Sequence, residues 1–138
     1  MVVTKYIKLK TKGNIDIINI TDSVKKNLEE TKILNGIVNI FIPGATGSLT
    51  TIEYESGSIQ DFKDIINAII PETKVYQHNL KNKDGNGHSH IRASVIGPSL
   101  TIPFIENKLQ LGIWQKIIFI DFDNIERQRE IICQIIGE

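Results

Sequence analysis

The stretch HIRASVIGPSLTIPFIENKLQLGIWQKIIFIDFDNIERQREIICQII, residues 90–136, decides the fold. It divides into four β-rich segments, His90–Ile96, Leu100–Ile105, Trp114–Asp121 and Arg129–Ile136. Turn residues separate them at Gly97-Pro98, Glu106-Asn107 and Asp123-Asn124. Strand-length segments punctuated this way predict an antiparallel meander, because tight turns join strands running in opposite directions.

Upstream the pattern changes. Residues 80–88 (LKNKDGNGH) form a polar, glycine-rich loop. Before it, Ile59, Phe62, Ile65, Ile66 and Ile69 recur at helical spacing. Ser58 and Asp61 resemble a capping box, and Pro71 closes that helix. Ile37–Ile42 is a continuous apolar run of buried-strand length, stopped by Pro43-Gly44, and Leu49–Glu55 is the next strand. A second helix is predicted over Thr21–Ile33, capped by Asp22, with Val24 and Leu28 on one face and Asn35-Gly36 as its end. Residues 2–10 alternate, with Val3, Ile7 and Leu9 on one face and Lys8 and Lys10 on the other, and Asn14–Ile20 reads as a further strand. Strands dominate and two helices interrupt the first half, so the class is α+β in one domain, residues 1–138.

Sixteen basic side chains balance sixteen acidic ones. That balance removes the long-range field expected of a nucleic-acid or anionic-membrane partner, and the aromatics are not interleaved with basic residues. A local asymmetry remains: residues 1–32 hold seven lysines against four acids, and residues 120–138 hold five acids against two arginines. The single cysteine, Cys133, has no partner for an internal disulfide and is expected to be buried and inert. The alternating N-terminus resembles neither a signal peptide nor a membrane span, so a cytoplasmic location is expected.

All three histidines, His78, His88 and His90, fall within thirteen residues. If a strand begins at His88, His88, His90 and Arg92 point to one face. Two imidazoles from one strand and His78 returning across the Asp84–Gly87 loop would make a three-histidine site for a divalent metal, zinc first, with an open position. The same spacing also suits metal-free acid–base or anion contacts, or polar groups on an exposed strand. Further candidates follow the buried strand at Ile37–Ile42. In Gly44-Ala45-Thr46-Gly47-Ser48-Leu49-Thr50, glycines let backbone N–H groups approach a ligand, while Thr46, Ser48 and Thr50 add hydroxyls. The segment lacks the Gly-Lys-Ser/Thr ending of a P-loop, and a plain tight turn is the alternative. Glu53 could serve as a general base, a metal-facing carboxylate or a surface residue. Arg127 and Arg129 share a strand face that suits a phosphate or carboxylate, with salt bridges to Glu126 and Glu130 as the competing reading.

Taken together, GSLTTIE (47–53), DGNGHSHIRASVIGPSLTIPF (84–104), LQLGIWQKI (109–117) and the Arg127/Arg129 pair resemble the YjbQ-like family, often labelled secondary thiamine-phosphate synthases. The resemblance covers most of the chain beyond residue 37. It implies a strongly curved, mostly antiparallel sheet, a homotrimer, and a pocket near subunit boundaries. In that pocket His78, His88 and His90, the Ser/Thr loop, Glu53, Asn86, Arg92 and the two arginines would converge. The implied activity joins a pyrimidine diphosphate to a thiazole phosphate and releases pyrophosphate. In that reading His88, His90 and Glu53 are catalytic, and Thr46, Ser48, Thr50, Asn86, Arg92, Arg127 and Arg129 bind a small phosphorylated substrate. A non-catalytic trimeric binding protein for a metal or small ligand is the alternative. One departure stands out: many members carry a histidine where this chain has Gly44.

Overall fold

The computed structural model describes residues 1–138. Strand β1 (Val2–Thr11) follows its alternating sequence: Ile7 and Thr11 are buried and Val3 and Leu9 pack against the core, while Lys8 and Lys10 face out. After it come β2 (Asp16–Asn19), helix α1 (Thr21–Thr31), β3 (Gly36–Phe41), β4 (Gly47–Glu53) and α2 (Ser56–Ile69). The second half holds α3 (Gln77–Lys81), α4 (Gly87–Ile96), β5 (Ser99–Ile105), β6 (Lys108–Leu109), β7 (Gln115–Asp121) and β8 (Arg127–Gly137). The fold is α+β, a curved antiparallel sheet with four helices.

Two expectations are corrected. His90–Ile96 is not a strand but the body of α4. The later strands do not form a meander either. They split between a five-stranded sheet, order β1-β8-β3-β5-β6, and a three-stranded one, order β2-β7-β4, with every pairing antiparallel. Caps differ as well. The Asn19 side chain, not Asp22, accepts from the Thr21 backbone N–H at the start of α1, and the left-handed Lys32 (φ 57°) ends that helix ahead of Asn35-Gly36. At α2 the Glu55 carboxylate accepts from the Gly57 and Ser58 N–H groups, in place of the Ser58–Asp61 pair.

Strand β7 explains why its sequence is a continuous apolar run. Ile117, Ile118, Phe119 and Ile120 are all fully buried. Ile117 and Phe119 face the main core with Val24 and Leu28 of α1, while Ile118 and Ile120 face a second core with Ile66 of α2 and Ala93 of α4. A strand covered on both sides has no polar face to alternate with. Its last residue, Asp121, and the turn into β8 therefore emerge between the two cores, beside α4 and the start of β4.

Candidate functional site

Two carboxylates at the β7 end, Asp121 and Asp123, are buried and fix the arginines that open β8. Arg129 grips Asp121 with both ends of its planar fork, Nε to Oδ2 at 2.8 Å and Nη2 to Oδ1 at 2.9 Å. The same Nη2 donates to Thr46 Oγ1 at 2.7 Å, and Thr11 Oγ1 donates to Asp121. A two-point contact of this kind fixes the guanidinium plane as well as its charge. Its third nitrogen, Nη1, makes no hydrogen bond within the chain. Arg127 donates from Nε to Asp123 Oδ2 at 2.9 Å and leaves both Nη groups unbonded. Burial pushes the Asp123 carboxyl up, but the Asn124 N–H at 2.8 Å and the Arg127 guanidinium hold it below its usual range. The arginines therefore answer the buried aspartates, not Glu126 and Glu130.

Across from this network stand two of the three histidines. His78, on α3, meets His90, on α4, edge to face with ring centroids 4.5 Å apart. His78 Nε2 lies 3.2 Å from Asp84 Oδ1 and 2.9 Å from the Asn86 side-chain amide. With its oxygen toward His78, that amide sends its nitrogen 3.4 Å to Asp123. Rotated by half a turn, the nitrogen lies 2.9 Å from His78 Nε2 and 3.1 and 3.2 Å from the two Asp84 oxygens. The rotated form has the shorter contacts and keeps the amide oxygen away from Asp84, and the tautomer of His78 sets whether Nε2 donates or accepts at this junction. Between these groups lies an open cavity of about 470 Å³, lined by His78, His90, Thr46, Asn86, Arg127 and Arg129, with Asp84 and Gln128 at its sides.

The profile of the family described as "UPF0047 protein YjbQ-like" matches residues 5–138. The chain belongs to the YjbQ-like family. A UPF0047 protein from Methanothermobacter thermautotrophicus is 34% identical over 99% of this chain and 94% of its own length. YugU of Bacillus subtilis, also a UPF0047 protein, is 30% identical over 96% and 98%. Among solved structures, a "YbjQ-like protein of unknown function" from Sulfolobus solfataricus superposes with a TM-score of 0.95 at 31% identity, covering 100% of this chain and 99% of that one.

Not every predicted site residue of this YjbQ-like chain reaches the cavity. On helix α4, residues two apart point to nearly opposite sides, whereas residues four apart share a face. His88 and Arg92 therefore turn inward together, and His90 alone faces the cavity. His88 is 1% exposed, its Nδ1 has no partner, and burial and then the neighbouring Arg92 push its pKa down. Arg92 donates to Ile70 O at 2.9 Å and Asn67 Oδ1 at 3.1 Å, tying α4 to the end of α2. Ser48 is buried and donates to Ala93 O. Glu53 pairs with Gln115 at the opposite end of β4 from Gly47, which pairs with Asp121. That is about 20 Å along the strand at the usual rise. Thr50 lies between them.

The three-histidine metal set is not assembled, since His88 sits in the core while His78 and His90 meet at the cavity. No group of three His, Cys, Asp or Glu side chains is close enough to hold a metal ion. Sequence reasoning missed Asp84, Asp121, Asp123 and Gln128. The aspartates carried a readable signal, because Asp121-Phe122-Asp123 has the same i, i+2 spacing as Arg127-Gln128-Arg129 across one turn.

Proposed function

We propose that this YjbQ-like protein is an enzyme acting on a small phosphorylated or anionic substrate in the cavity between the two arginines and the two exposed-side histidines. One observation carries the reading: two guanidinium groups held by buried aspartates keep unbonded donors, and both arginines line the space that His78 and His90 also line. Preset N–H donors stabilise developing negative charge without reorganising, and an imidazole beside them can give or take a proton near neutral pH. In the thiamine-phosphate synthase form of the proposal, Arg127 and Arg129 hold the phosphate groups and stabilise the departing pyrophosphate, while Thr46, accepting from Arg129 and donating to Asp123, fixes the Arg129 guanidinium. His90 and His78 handle protons, and Asn86 with Asp84 orients His78. A divalent metal, zinc first, is a separate proposal: His78 and His90, whose rings meet at the cavity, would be its imidazole ligands, and no step above runs through it.

The proposal is tested by incubating the protein with the pyrimidine diphosphate and thiazole phosphate and following thiamine phosphate. Loss of at least tenfold in His90→Ala and Arg127→Ala, with folding intact, is the expected result. Equal background rates in wild type and both variants would leave the second reading, a non-catalytic binding protein for a small anion or metal, as the better one. Metal content of the purified protein, compared with that of His90→Ala, tests the zinc proposal. We further propose a cytoplasmic homotrimer, on the family resemblance and on the apolar outer face of the five-stranded sheet. No helix is long and apolar enough to cross a membrane.

A further inference from the structure

The Arg129 side chain is 10% exposed, yet one of its nitrogens is unspent. Nη1 points toward Gly44, where an added Cβ would stand 3.5 Å from it and meet nothing else within 4 Å. Gly44 has φ +119°, a conformation side-chain-bearing residues rarely adopt, so the chain keeps this position bare. Beside it opens a second cavity of about 270 Å³, lined by Gly44, Ala45, Gly47, Ala93, Ser94 and Pro98, with His90 at its edge. Ala45 and His90 line this space and the histidine–arginine cavity alike, so the two adjoin at those residues.

A row of small residues leaves room but recognises nothing. A guanidinium fixed in plane by Asp121 and Thr46, with N–H donors left over, can recognise an anion such as a phosphate. What is attached to that phosphate must then leave by a route the small residues provide. We propose that the bare wall at Gly44 is a substrate subsite, and that the protein takes organic phosphate monoesters whose carbon portion lies in the cavity beside Ala45 and Ser94 while the phosphate sits against Arg129. This rests on the phosphate-binding reading above and goes beyond it in naming where the rest of the ligand goes. The competing place is the cavity of about 510 Å³ on the far side of His90, lined by Val75, Tyr76 and Ile91.

Binding of two probes, inorganic phosphate and phenyl phosphate, separates these outcomes. Calorimetric titration of wild type should show phenyl phosphate binding at least tenfold more tightly than inorganic phosphate. Ser94 is exposed on α4 and lines only the small-residue cavity, so Ser94→Phe should fill it without disturbing the fold. That variant should lose the tenfold advantage and keep its affinity for inorganic phosphate. Ile91→Phe, on the other side of His90, should change neither value. Equal affinity of wild type for both probes, or an advantage that survives Ser94→Phe, overturns the inference while leaving phosphate binding in place; so does an advantage lost in Ile91→Phe instead. No binding of either probe is a different failure, because it removes the phosphate site itself and the subsite with it.

Discussion

At the scale of single residues, the arginine pair divides into two unequal parts. Asp121 is fully buried and Arg129 nearly so, whereas the Arg127 side chain is 44% exposed. Removing one partner of a buried pair strands the other charge in a poorly solvated place and costs about 3–5 kcal/mol, while a pair reaching solvent is worth about 0–1 kcal/mol, and the buried Asp123 keeps the Asn124 N–H when the half-exposed Arg127 is removed. Asp121→Ala is therefore expected to destabilise the protein by about 3 kcal/mol in urea unfolding, and Arg127→Ala by about 1 kcal/mol. Comparable losses in both would mean that Arg129 is not held as described. The arginines themselves were legible, since two cations on one strand face suggest an anion site. Their partners were not. Glu126 and Glu130 are nearer in sequence, but the chain turns at Asp123-Asn124 and brings the β7 carboxylates across, so proximity in the fold decided against proximity in the chain. The histidines show the same limit. Their clustering pointed to the cavity, yet which rings meet depends on whether the backbone is extended or helical.

That choice is settled at the scale of elements. Residues 90–95 alternate polar and apolar, His-Ile-Arg-Ala-Ser-Val, which is the pattern of a half-buried strand. In α4 the same residues are sorted by another period, and the result is inverted: Ile91 and Val95 are 46% and 62% exposed, while His88, Ser89 and Arg92 are buried. The polar face is inward because it is satisfied there. Ser89 Oγ donates to Phe122 O, and Arg92 bonds the end of α2. Such partners come from distant segments and leave no local periodic mark, so sequence patterning favoured the wrong element. Ser89→Ala should cost about 1–3 kcal/mol by leaving a buried carbonyl unbonded, whereas Ile91→Lys should change stability by under about 0.5 kcal/mol. The helix also predicts a pH dependence. Burial and Arg92 disfavour charged His88, so its pKa is lower in the folded protein than the ordinary value of about 6.5. The unfolded chain then binds the extra proton first. Stability is full above about pH 6.5 and declines as pH falls from there toward the folded pKa. Thermal melts between pH 8 and 5 should show that decline in wild type and a flatter profile in His88→Gln. Identical profiles would argue against a neutral, buried His88.

At the scale of the whole molecule, the five-stranded sheet poses a question that its topology alone leaves open. An antiparallel sheet with one solvated face should carry polar side chains on that face. Here the register builds two apolar rows on it instead. Val2 pairs with Ile136, which pairs with Ile37; Tyr6 pairs with Ile132, which pairs with Phe41. Five of these six are exposed, from 40% at Ile37 and Phe41 to 59% at Val2. Between the rows runs a polar one, in which Thr4 donates to Gln134 and Asn39 donates to Ser99 and Thr101, so its groups are satisfied within the sheet. A face with its polar groups already bonded and its apolar rows bare is suited to burial against another protein surface. The alternation of β1 was readable from the start, but the rows exist only once β8 is placed between β1 and β3, which sequence could not order. If the proposed homotrimer forms through this face, light scattering of wild type should give three times the monomer mass. Phe41→Asp should shift the population to monomers, because a carboxylate at the end of a row would be buried without a partner. A wild type that is already monomeric at micromolar concentration, with Phe41→Asp indistinguishable from it, would leave this face to some other partner and remove subunit boundaries from any account of the site.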